Sequence, residues 1–518
     1  MRVTHILVSG LSALLLSACT TLGPDYQEPR LDWLQDWQPD LYGQLIDRQT
    51  RDELDLGTWW HLFNDPVLND LVEQLRRENL SLRIAGLRIL ESQAALGIAD
   101  SNRYPQLQQI GGAIAYTNTQ QHGGVASGAD QGLTSYQAGF TLGWELDFWG
   151  RFRRGIESAE AAYLSSVTDQ HDAQVLLNAQ LADLYFAYRT TQLRIALADE
   201  NAAIQKRSFD ITEQLYSSGQ QSELDLHQAK TQYLATLATI PGLQVTLNKT
   251  RNALCVLLGR PPGEIPELVE APGPLPAVET QLISGIPARL LLRRPDVRSA
   301  AWQVAAQSAQ IGLAEADLYP AISLLGSIGW SGNDSRATPD IATQSIGPGL
   351  QWNIFDYGRI RNNVRLQDAR LQQLITRYQA TALQAAGEID DAAVSVVKSV
   401  EQQAILTQSV ASARRALEIA NTRYREGYSG FQRVLDAQRA LFAQTERELV
   451  NQGAHISAAI ALYKALGGGW MHISAADMIP ADVRNTMRER SDWGDLLEQP
   501  VPVRVDQPNS VHESQQYD

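Results

Sequence analysis

Two stretches of the chain alternate between large apolar residues and small or polar ones. The first runs from 136 to 146 and the second from 346 to 354. Such alternation predicts β-strands with one apolar and one polar face, and over about ten residues it is typical of transmembrane barrel strands. An ordinary half-buried hairpin is the alternative. The apolar positions are Tyr136, Phe140, Leu142, Trp144 and Leu146, then Ile346, Leu350, Trp352 and Ile354.

Each alternating stretch is the return half of a predicted β-hairpin. The hairpins are predicted over 107–148 and 321–355, with glycine-rich polar loops over 123–132 and 332–343. Aromatic residues gather where the return strands end, as in the interfacial belt of a membrane protein. These predicted membrane-interface aromatics are Trp144, Phe148, Trp149, Trp352, Phe355 and Tyr357.

Apolar residues spaced by three and four follow each hairpin and predict long packed helices. The region 359–425 contains no proline, and at ~1.5 Å per residue its helix would span roughly 100 Å. That length suits a tube that crosses the periplasm better than a globular domain. Return helices are predicted over 223–258 and 431–466, and Pro241 predicts a kink in the first of them.

A duplication relates the two halves of the chain. A shift of 208 positions superimposes five landmarks, and the Tyr-Pro pair that ends the helix before each hairpin matches at a shift of 215. Landmarks at one fixed offset predict two copies of one structural unit. The pairs are Trp144 and Trp352, Gly150 and Gly358, Tyr216 and Tyr424, Gly219 and Gly427, Gly259 and Gly467, and Tyr104-Pro105 with Tyr319-Pro320.

The patterns divide the chain into six segments. A signal peptide (1–18) precedes a lipid-anchored leader (19–66). The first repeat (67–260) comprises a helix over 67–103, the hairpin 107–148 and a helical hairpin over 150–258. A proline-rich linker (261–287) leads to the second repeat (288–467), with a helix over 296–318, the hairpin 321–355 and a helical hairpin over 358–466. A polar tail (468–518) follows.

The first residues have the pattern of a secretory signal. Arg2 precedes an apolar run, and Leu16-Ser17-Ala18-Cys19 resembles the bacterial lipobox, which implies cleavage before Cys19 and its acylation, for example with palmitate. A plain signal peptide with an incidental cysteine is the alternative. Cys255 lies in an apolar run and is expected to be buried. No later apolar stretch approaches the roughly 20 residues of a spanning helix.

Four strands per chain cannot close a membrane barrel, because open edges are not tolerated in lipid. Two copies would give eight strands and three would give twelve. Eight strands leave an interior that side chains fill, whereas larger barrels leave a channel. If the protein forms an open channel, three copies are therefore favoured over two.

Composition excludes several functions. The net charge of −15 disfavours nucleic acid; it indicates a solvated surface or, alternatively, acidic residues in a lumen. The histidines form no metal-spaced pair, and with four methionines a copper-exporting duct is not expected. We expect no enzyme, no metal and no cofactor apart from the lipid on Cys19.

At this point the chain resembles the TolC-like outer-membrane efflux protein family, in its lipoprotein subgroup. The resemblance covers about 19–466. It rests on Cys19 to Tyr26, Trp59-Trp60 with Phe63, the motif Arg293-Arg294-Pro295-Asp296, and Tyr424 and Gly427 followed by Val434-Leu435-Asp436-Ala437-Gln438.

The resemblance implies an α+β membrane protein, namely a homotrimer whose 12-stranded outer-membrane β-barrel continues as a periplasmic α-helical barrel. It implies an export duct of the multidrug-resistance type for drugs or other small molecules. Its partners would be outer-membrane lipid, a periplasmic membrane-fusion adaptor and an inner-membrane pump of the resistance–nodulation–division or major-facilitator type. A type I protein secretion duct and a non-channel periplasmic coiled-coil scaffold are the alternatives.

The resemblance also gives candidate tip and gate residues, which are Tyr216, Gly219, Tyr424, Gly427, Arg433 and Asp436. Tyr424 and Asp436 match the family pattern. Arg433 stands where the family often has an acidic residue, and Ser429 where it has a basic one. Three copies of Asp436 would repel one another unless Arg433 pairs with them, so we expect an Arg433–Asp436 latch.

Overall fold

The computed structural model describes residues 21–35, 56–119, 131–268, 273–278, 288–332, 341–472 and 474–502. The predicted signal peptide, Cys19 and most of both hairpin loops lie outside the described residues. The helices are α1 (Pro66–Glu78), α2 (Leu80–Ser101), α3 (Arg151–Ser217), α4 (Glu223–Leu237), α5 (Thr239–Leu257), α6 (Pro295–Ala316), α7 (Arg359–Arg425), α8 (Gln432–Ala465), α9 (Ala475–Met478) and α10 (Ala481–Arg490). The strands are β1 (Leu107–Thr119), β2 (Gln131–Leu146), β3 (Ala321–Gly332) and β4 (Ile341–Gln351).

The backbone follows the duplicated pattern. α3 and α7 each contain 67 residues, and each is preceded by a glycine in the left-handed region. Glycine adopts positive φ without the steric penalty of a Cβ, so these positions fix where each helix starts and stops. The matched glycines are Gly150 and Gly358, Gly219 and Gly427, and Gly259 and Gly467.

The strands form one antiparallel sheet in the order β1-β2-β3-β4. Its registers pair even-numbered residues with even-numbered ones, as in Trp144 opposite Leu324. The large apolar side chains at even positions therefore share one face. The other face is mainly polar, with apolar exceptions at Leu107, Leu325 and Ile341. β2 and β4 begin before the predicted loops end at 132 and 343, and the rest of both predicted loops lies outside the described residues.

α3 is the central helix of the chain. Near the sheet it lies between α2 and α6, and α7 packs against α6. Farther from the sheet, α4, α5 and α8 all pack against α3, and α7 packs against α8. The two flanks of this layer are therefore α2 with α4 and α5 on one side, and α7 on the other. No helix in the described ranges is long and apolar enough to cross a bilayer.

The single helix expected over 67–103 is wrong, because the chain breaks at Asn79. Its side-chain oxygen accepts hydrogen bonds from Ser81 N and Leu82 N and so caps α2. Its amide group donates to the Leu257 carbonyl at 2.7 Å, at the end of α5. A tertiary contact thus fixes the break.

The kink predicted at Pro241 is confirmed. The return helix of the first copy is divided at Ala238, three positions before the proline, because the ring removes a hydrogen-bond donor and crowds the preceding turn. In the second copy Leu449 occupies the matching position, and α8 runs unbroken through it.

The largest core cluster lies where α5 and α8 end against the middle of α3. Trp59 is 1% exposed and stacks on Tyr463 at 5.5 Å. Asp65 caps α1 and also accepts from Arg189 of α3 at 2.6 Å. Cys255 is buried, as expected. This cluster ties the first copy to the second below the sheet.

The C-terminal segment expected as a polar tail is partly folded onto the body. Ile479, Met487, Leu497 and Val501 are buried against α2, α3 and α6. Trp470 stacks on His171 with ring centroids 4.2 Å apart. Burial lowers the pKa of His171 to about 4, so this imidazole is neutral at physiological pH.

Arg294 joins three helices. Its guanidinium lies 2.8 Å from carboxylate oxygens of both Asp296 and Glu388, and it donates to a carbonyl at the end of α8. Asp172 of α3 faces the same group. Burial raises the pKa of Asp172 to about 6; Asp296 adds to the rise and Arg294 opposes it.

Replacing Asp172 by Asn should stabilise the fold at neutral pH. The folded-state pKa lies above the unfolded value, so stability is fully present below about pH 4 and falls as the pH rises through about 6. At ~1.4 kcal/mol per pKa unit, Asp172→Asn should increase the unfolding free energy by at most about 3 kcal/mol above pH 7, and by little near pH 4. Urea unfolding followed by tryptophan fluorescence measures this. Asp391→Asn, at an exposed position, is the control. A gain in unfolding free energy that does not depend on pH would contradict the raised pKa of Asp172.

Candidate functional site

Two matching hydrogen bonds join the sheet to the helices. Trp144 Nε1 donates to the Arg103 carbonyl at 3.2 Å, and Trp352 Nε1 donates to the Leu318 carbonyl at 2.9 Å. Each indole satisfies a carbonyl at the end of the helix that leads into the sheet. Trp352 lies just beyond β4, so the strand predicted to reach Ile354 is shorter than expected.

The other aromatics of the predicted belt differ in burial. Trp149 Nε1 donates to the Pro320 carbonyl at 2.8 Å, and its ring stacks on Tyr319 at 4.8 Å. Phe148 is half-buried. Phe355 and Tyr357 are 87% and 102% exposed, and Tyr357 has a left-handed φ of 52°. Their contact with lipid stays a prediction.

The leader is held at this junction by one buried arginine. The Arg154 side chain, 4% exposed, donates to the carbonyls of Leu22 and Gly23 and contacts Asp25 at 2.9 Å and Glu157 at 2.7 Å. Burial alone would lower the pKa of Arg154, but its bonds to Glu157 and Asp25 raise it. Sequence reasoning missed this residue, because Arg154 lies far along the chain from the leader it binds.

Glycines make room for the leader. A Cβ on Gly312 would collide with the Leu22 carbonyl oxygen, and one on Gly150 would lie 2.7 Å from Thr21 Cγ2. Leu22 N also donates to the Trp149 carbonyl at 3.1 Å. These contacts hold residues 21–23 at the junction of sheet and helices.

Replacing Gly312 by Ala should release the leader. The new methyl group would displace Leu22 and weaken the bonds of Arg154, each worth ~1.5–3 kcal/mol for a charged group. Hydrogen–deuterium exchange of residues 21–30 should then be about tenfold faster or more. Gly387→Ala is the control, because nothing lies within 4 Å of a Cβ there. Unchanged exchange of residues 21–30 in the Gly312→Ala variant would show that the space at Gly312 does not hold the leader in place.

At the opposite end, both helical hairpins turn through the same motif. Gly219 N donates to the Tyr216 carbonyl, and Gly427 N to that of Tyr424. The following amide in each copy bonds a carbonyl one residue earlier, which completes a Schellman cap. Both glycines have open space around them, so positive φ rather than crowding accounts for them.

The two tips are bonded to each other. Gln221 Nε2 donates to Tyr424 Oη at 2.9 Å, and the Tyr424 ring packs on Phe431 at 5.3 Å. Asp436 accepts from Gln432 at 3.0 Å and from Arg439 at 3.4 Å.

Arg439 rather than Arg433 is therefore the ion-pair partner of Asp436 within one chain. Arg439 also donates to Gln232 of α4 at 3.4 Å, so it links the second copy to the first. Its position one helical turn after Asp436 could have indicated it, whereas nothing in the sequence singled out Gln221. The Arg433–Asp436 latch, if formed between chains, stays a prediction.

A cavity of about 550 Å³ lies beside the tips, among residues of α3, α4, α5 and α8. Gln205 and Gln232 line it; they are 3% and 6% exposed, and each has an amide atom without a partner in the described structure. Arg439 adds a positive charge, and His227 adds ring nitrogens that can hydrogen-bond. Unpaired buried amides are costly, so these two side chains favour an occupant that can hydrogen-bond with them. Within the described ranges, no group of three or more acidic, His or Cys side chains could hold a metal ion.

Comparison with known proteins identifies relatives over most of the chain. A family model described as outer membrane efflux protein matches residues 71–260 and 286–468, which correspond to the two repeats. The cation efflux system protein CusC of Escherichia coli O6:H1 is 29% identical over 467 residues, covering 88% of this chain and 97% of that protein. The toluene efflux pump outer membrane protein TtgI of Pseudomonas putida is 30% identical over 466 residues, with the same coverage.

The fold also matches solved structures. The outer-membrane channel OprN superimposes with a TM-score of 0.76 at 33% identity, over 87% of this chain and 99% of that one.

Proposed function

The chain belongs to the outer membrane efflux protein family, and from this premise we propose that three copies close into one export duct. As a member, it is the outer-membrane channel component of a tripartite efflux system, and it extends into the periplasm. The observation that carries the proposed closure is a four-stranded sheet with two unpaired edges, joined directly to the longest helices.

The sheet supports a closed twelve-stranded barrel. In the described chain, β1 and β4 each pair on one side only. An open edge in hydrocarbon leaves backbone groups unsatisfied, so each edge needs a partner strand. Three copies supply twelve strands and leave a lumen, whereas two copies would fill their interior with side chains.

The helical layer supports the same closure. Leu234, Val245 and Val256 on α4 and α5 are 50%, 54% and 67% exposed, and Leu383 and Ile405 on α7 are 56% and 68% exposed. Val245 and Val256 on α5 are 11 residues apart, and Leu383 and Ile405 on α7 are 22 apart. Both spacings are close to a whole number of turns, so each pair faces one side of its helix. The two pairs lie on opposite flanks of the chain, so contact between neighbouring chains buries both.

The exported substrate is proposed as drugs or other small molecules. One relative is a cation efflux protein and another belongs to a toluene efflux pump, yet they are 29% and 30% identical to this chain. The chain is equally similar to relatives whose names give very different substrates. This supports selection of the substrate by the pump rather than by the duct. The pump is proposed to be of the resistance–nodulation–division or major-facilitator type.

The cavity beside the tips is the proposed docking groove for the periplasmic adaptor. It lies at the end of the helices farthest from the sheet, where a periplasmic partner has access. Its unpaired amides on Gln205 and Gln232 would accept polar side chains of that partner. Lipidation of Cys19 is proposed to hold the leader at the membrane surface beside Trp149.

Replacing Tyr424 by Phe should increase the conductance of single channels in a planar bilayer. The change removes the hydroxyl that accepts from Gln221 but keeps the ring on Phe431, so the two tips separate more easily. Tyr216→Phe, at the matching position of the first copy, is the control. Arg439→Gln should act in the same direction as Tyr424→Phe.

Two results would count against these assignments. Unchanged conductance of the Tyr424 variant would show that its bond to Gln221 does not hold the tips closed. A wild-type protein that forms detergent-stable trimers but never conducts would contradict the duct itself.

A further inference from the structure

Contacts between the two copies inside one chain give a template for contacts between chains. β2 of the first copy pairs with β3 of the second, and Trp144 lies opposite Leu324. If three chains close a ring, the second copy of one chain meets the first copy of the next in the same way. We infer that β4 pairs antiparallel with β1 of the neighbouring chain, with Trp352 opposite Ile110. This inference rests on the proposed trimer and adds the register that the proposal leaves open.

The register follows from the pairings within each hairpin. Leu107 lies opposite Gly143 in the first hairpin, and Ala321 lies opposite Gln351 in the second. Gly143 and Gln351 are matching positions of the repeat, so Leu107 corresponds to Ala321. Each residue of β2 is replaced by its counterpart in β4, and each residue of β3 by its counterpart in β1. The β2–β3 register then gives four residue pairs between chains. They are Trp352 with Ile110, Leu350 with Gly112, Pro348 with Ile114, and Ile346 with Tyr116.

The faces of the strands support this register independently. Ile110, Ile114 and Tyr116 are 85%, 81% and 69% exposed, while Ile346 and Leu350 are 79% and 68% exposed. All occupy even positions, and paired residues in an antiparallel sheet point to the same face. A slip of one residue would place them opposite the polar face, so the apolar surface of the barrel would be broken at every junction.

A contact below the sheet supports the same junction. Inside the chain, Trp149 stacks on Tyr319 and closes the first copy against the second. Their counterparts in the repeat are Tyr357 and Tyr104, which are 102% and 64% exposed on opposite flanks. The proposed closure brings these flanks together. Tyr357 reaches its neighbour from a left-handed backbone that Trp149 lacks, so the two contacts are similar but not identical.

Disulfide cross-linking in outer-membrane vesicles tests the register. In a Cys255→Ala background with Cys19 retained, Gly112→Cys and Leu350→Cys are combined in one chain. β1 and β4 are three strands apart, roughly 14 Å, so these cysteines cannot join within a chain. Oxidation should therefore give linked dimers and trimers on a non-reducing denaturing gel, and a reductant should remove them. Tyr116→Cys with Ile346→Cys is a second predicted pair.

The matched controls combine Leu350→Cys with Ile110→Cys or with Ile114→Cys. Both keep the cysteines on the same strands and face but shift them by two residues, to the roughly 7–8 Å of diagonal neighbours. They should link several-fold less than the predicted pairs.

Stronger linkage of a shifted pair would overturn the register while leaving the trimer intact. Absence of linkage from every pair, in protein whose mass in detergent is that of a trimer, would show that these edges do not meet. A monomeric mass would instead contradict the proposed trimer on which the inference rests.

Discussion

Backbone hydrogen bonding in a medium without water is the constraint on which this architecture depends. A peptide group that enters hydrocarbon unpaired costs several kcal/mol. β1 has 13 residues and β4 has 11, and each edge is open on one side in the described chain. The backbone groups of such long edges can hydrogen-bond to water or to a partner strand, but not to lipid. Since the family functions in the outer membrane, the proposed pairing between chains would be a condition for insertion rather than a refinement added afterwards.

The same constraint explains how the two copies tolerate a difference in length. Pro320 is followed at once by β3, whereas Gln106 stands between Pro105 and β1. The Gln106 side chain compensates, because its amide accepts from Glu145 N at 2.7 Å and donates to the Glu145 carbonyl at 3.3 Å. A side-chain amide thus takes the place of one backbone pair. The extra residue changes neither the alternation of faces nor the pairing in the sheet.

The parts of the fold that depend on local sequence could be predicted, and those set by distant contacts could not. Periodicity and glycine spacing gave the long helices and their turns, and Pro241 gave the break before α5, because these effects act within a few residues. The break at Asn79 depends on the Leu257 carbonyl, far along the chain. The bonds from Arg154 to the leader and the packing of Met487 also bring together segments that are distant in sequence. At the tips, Tyr424 and Asp436 were identified from a resemblance, but their partners Gln221 and Arg439 emerge only when the two hairpins lie side by side.

The two copies differ in their return helices, and this difference bears on how the duct opens. At the level where the first return helix breaks at Ala238, the matching residue of the second copy is Glu446, which contacts Arg194 of α3 at 2.7 Å. The second return helix is therefore continuous and tied to α3, whereas α4 is separated from α5. In the proposed trimer, similar contacts within and between chains near the sheet would favour a nearly sixfold wall that resists deformation. Below Ala238 the wall consists of two unequal hairpins joined by Gln221–Tyr424 and Gln232–Arg439. We therefore expect the duct to widen by separating these few polar contacts, without disturbing the strand pairing that the proposed barrel requires.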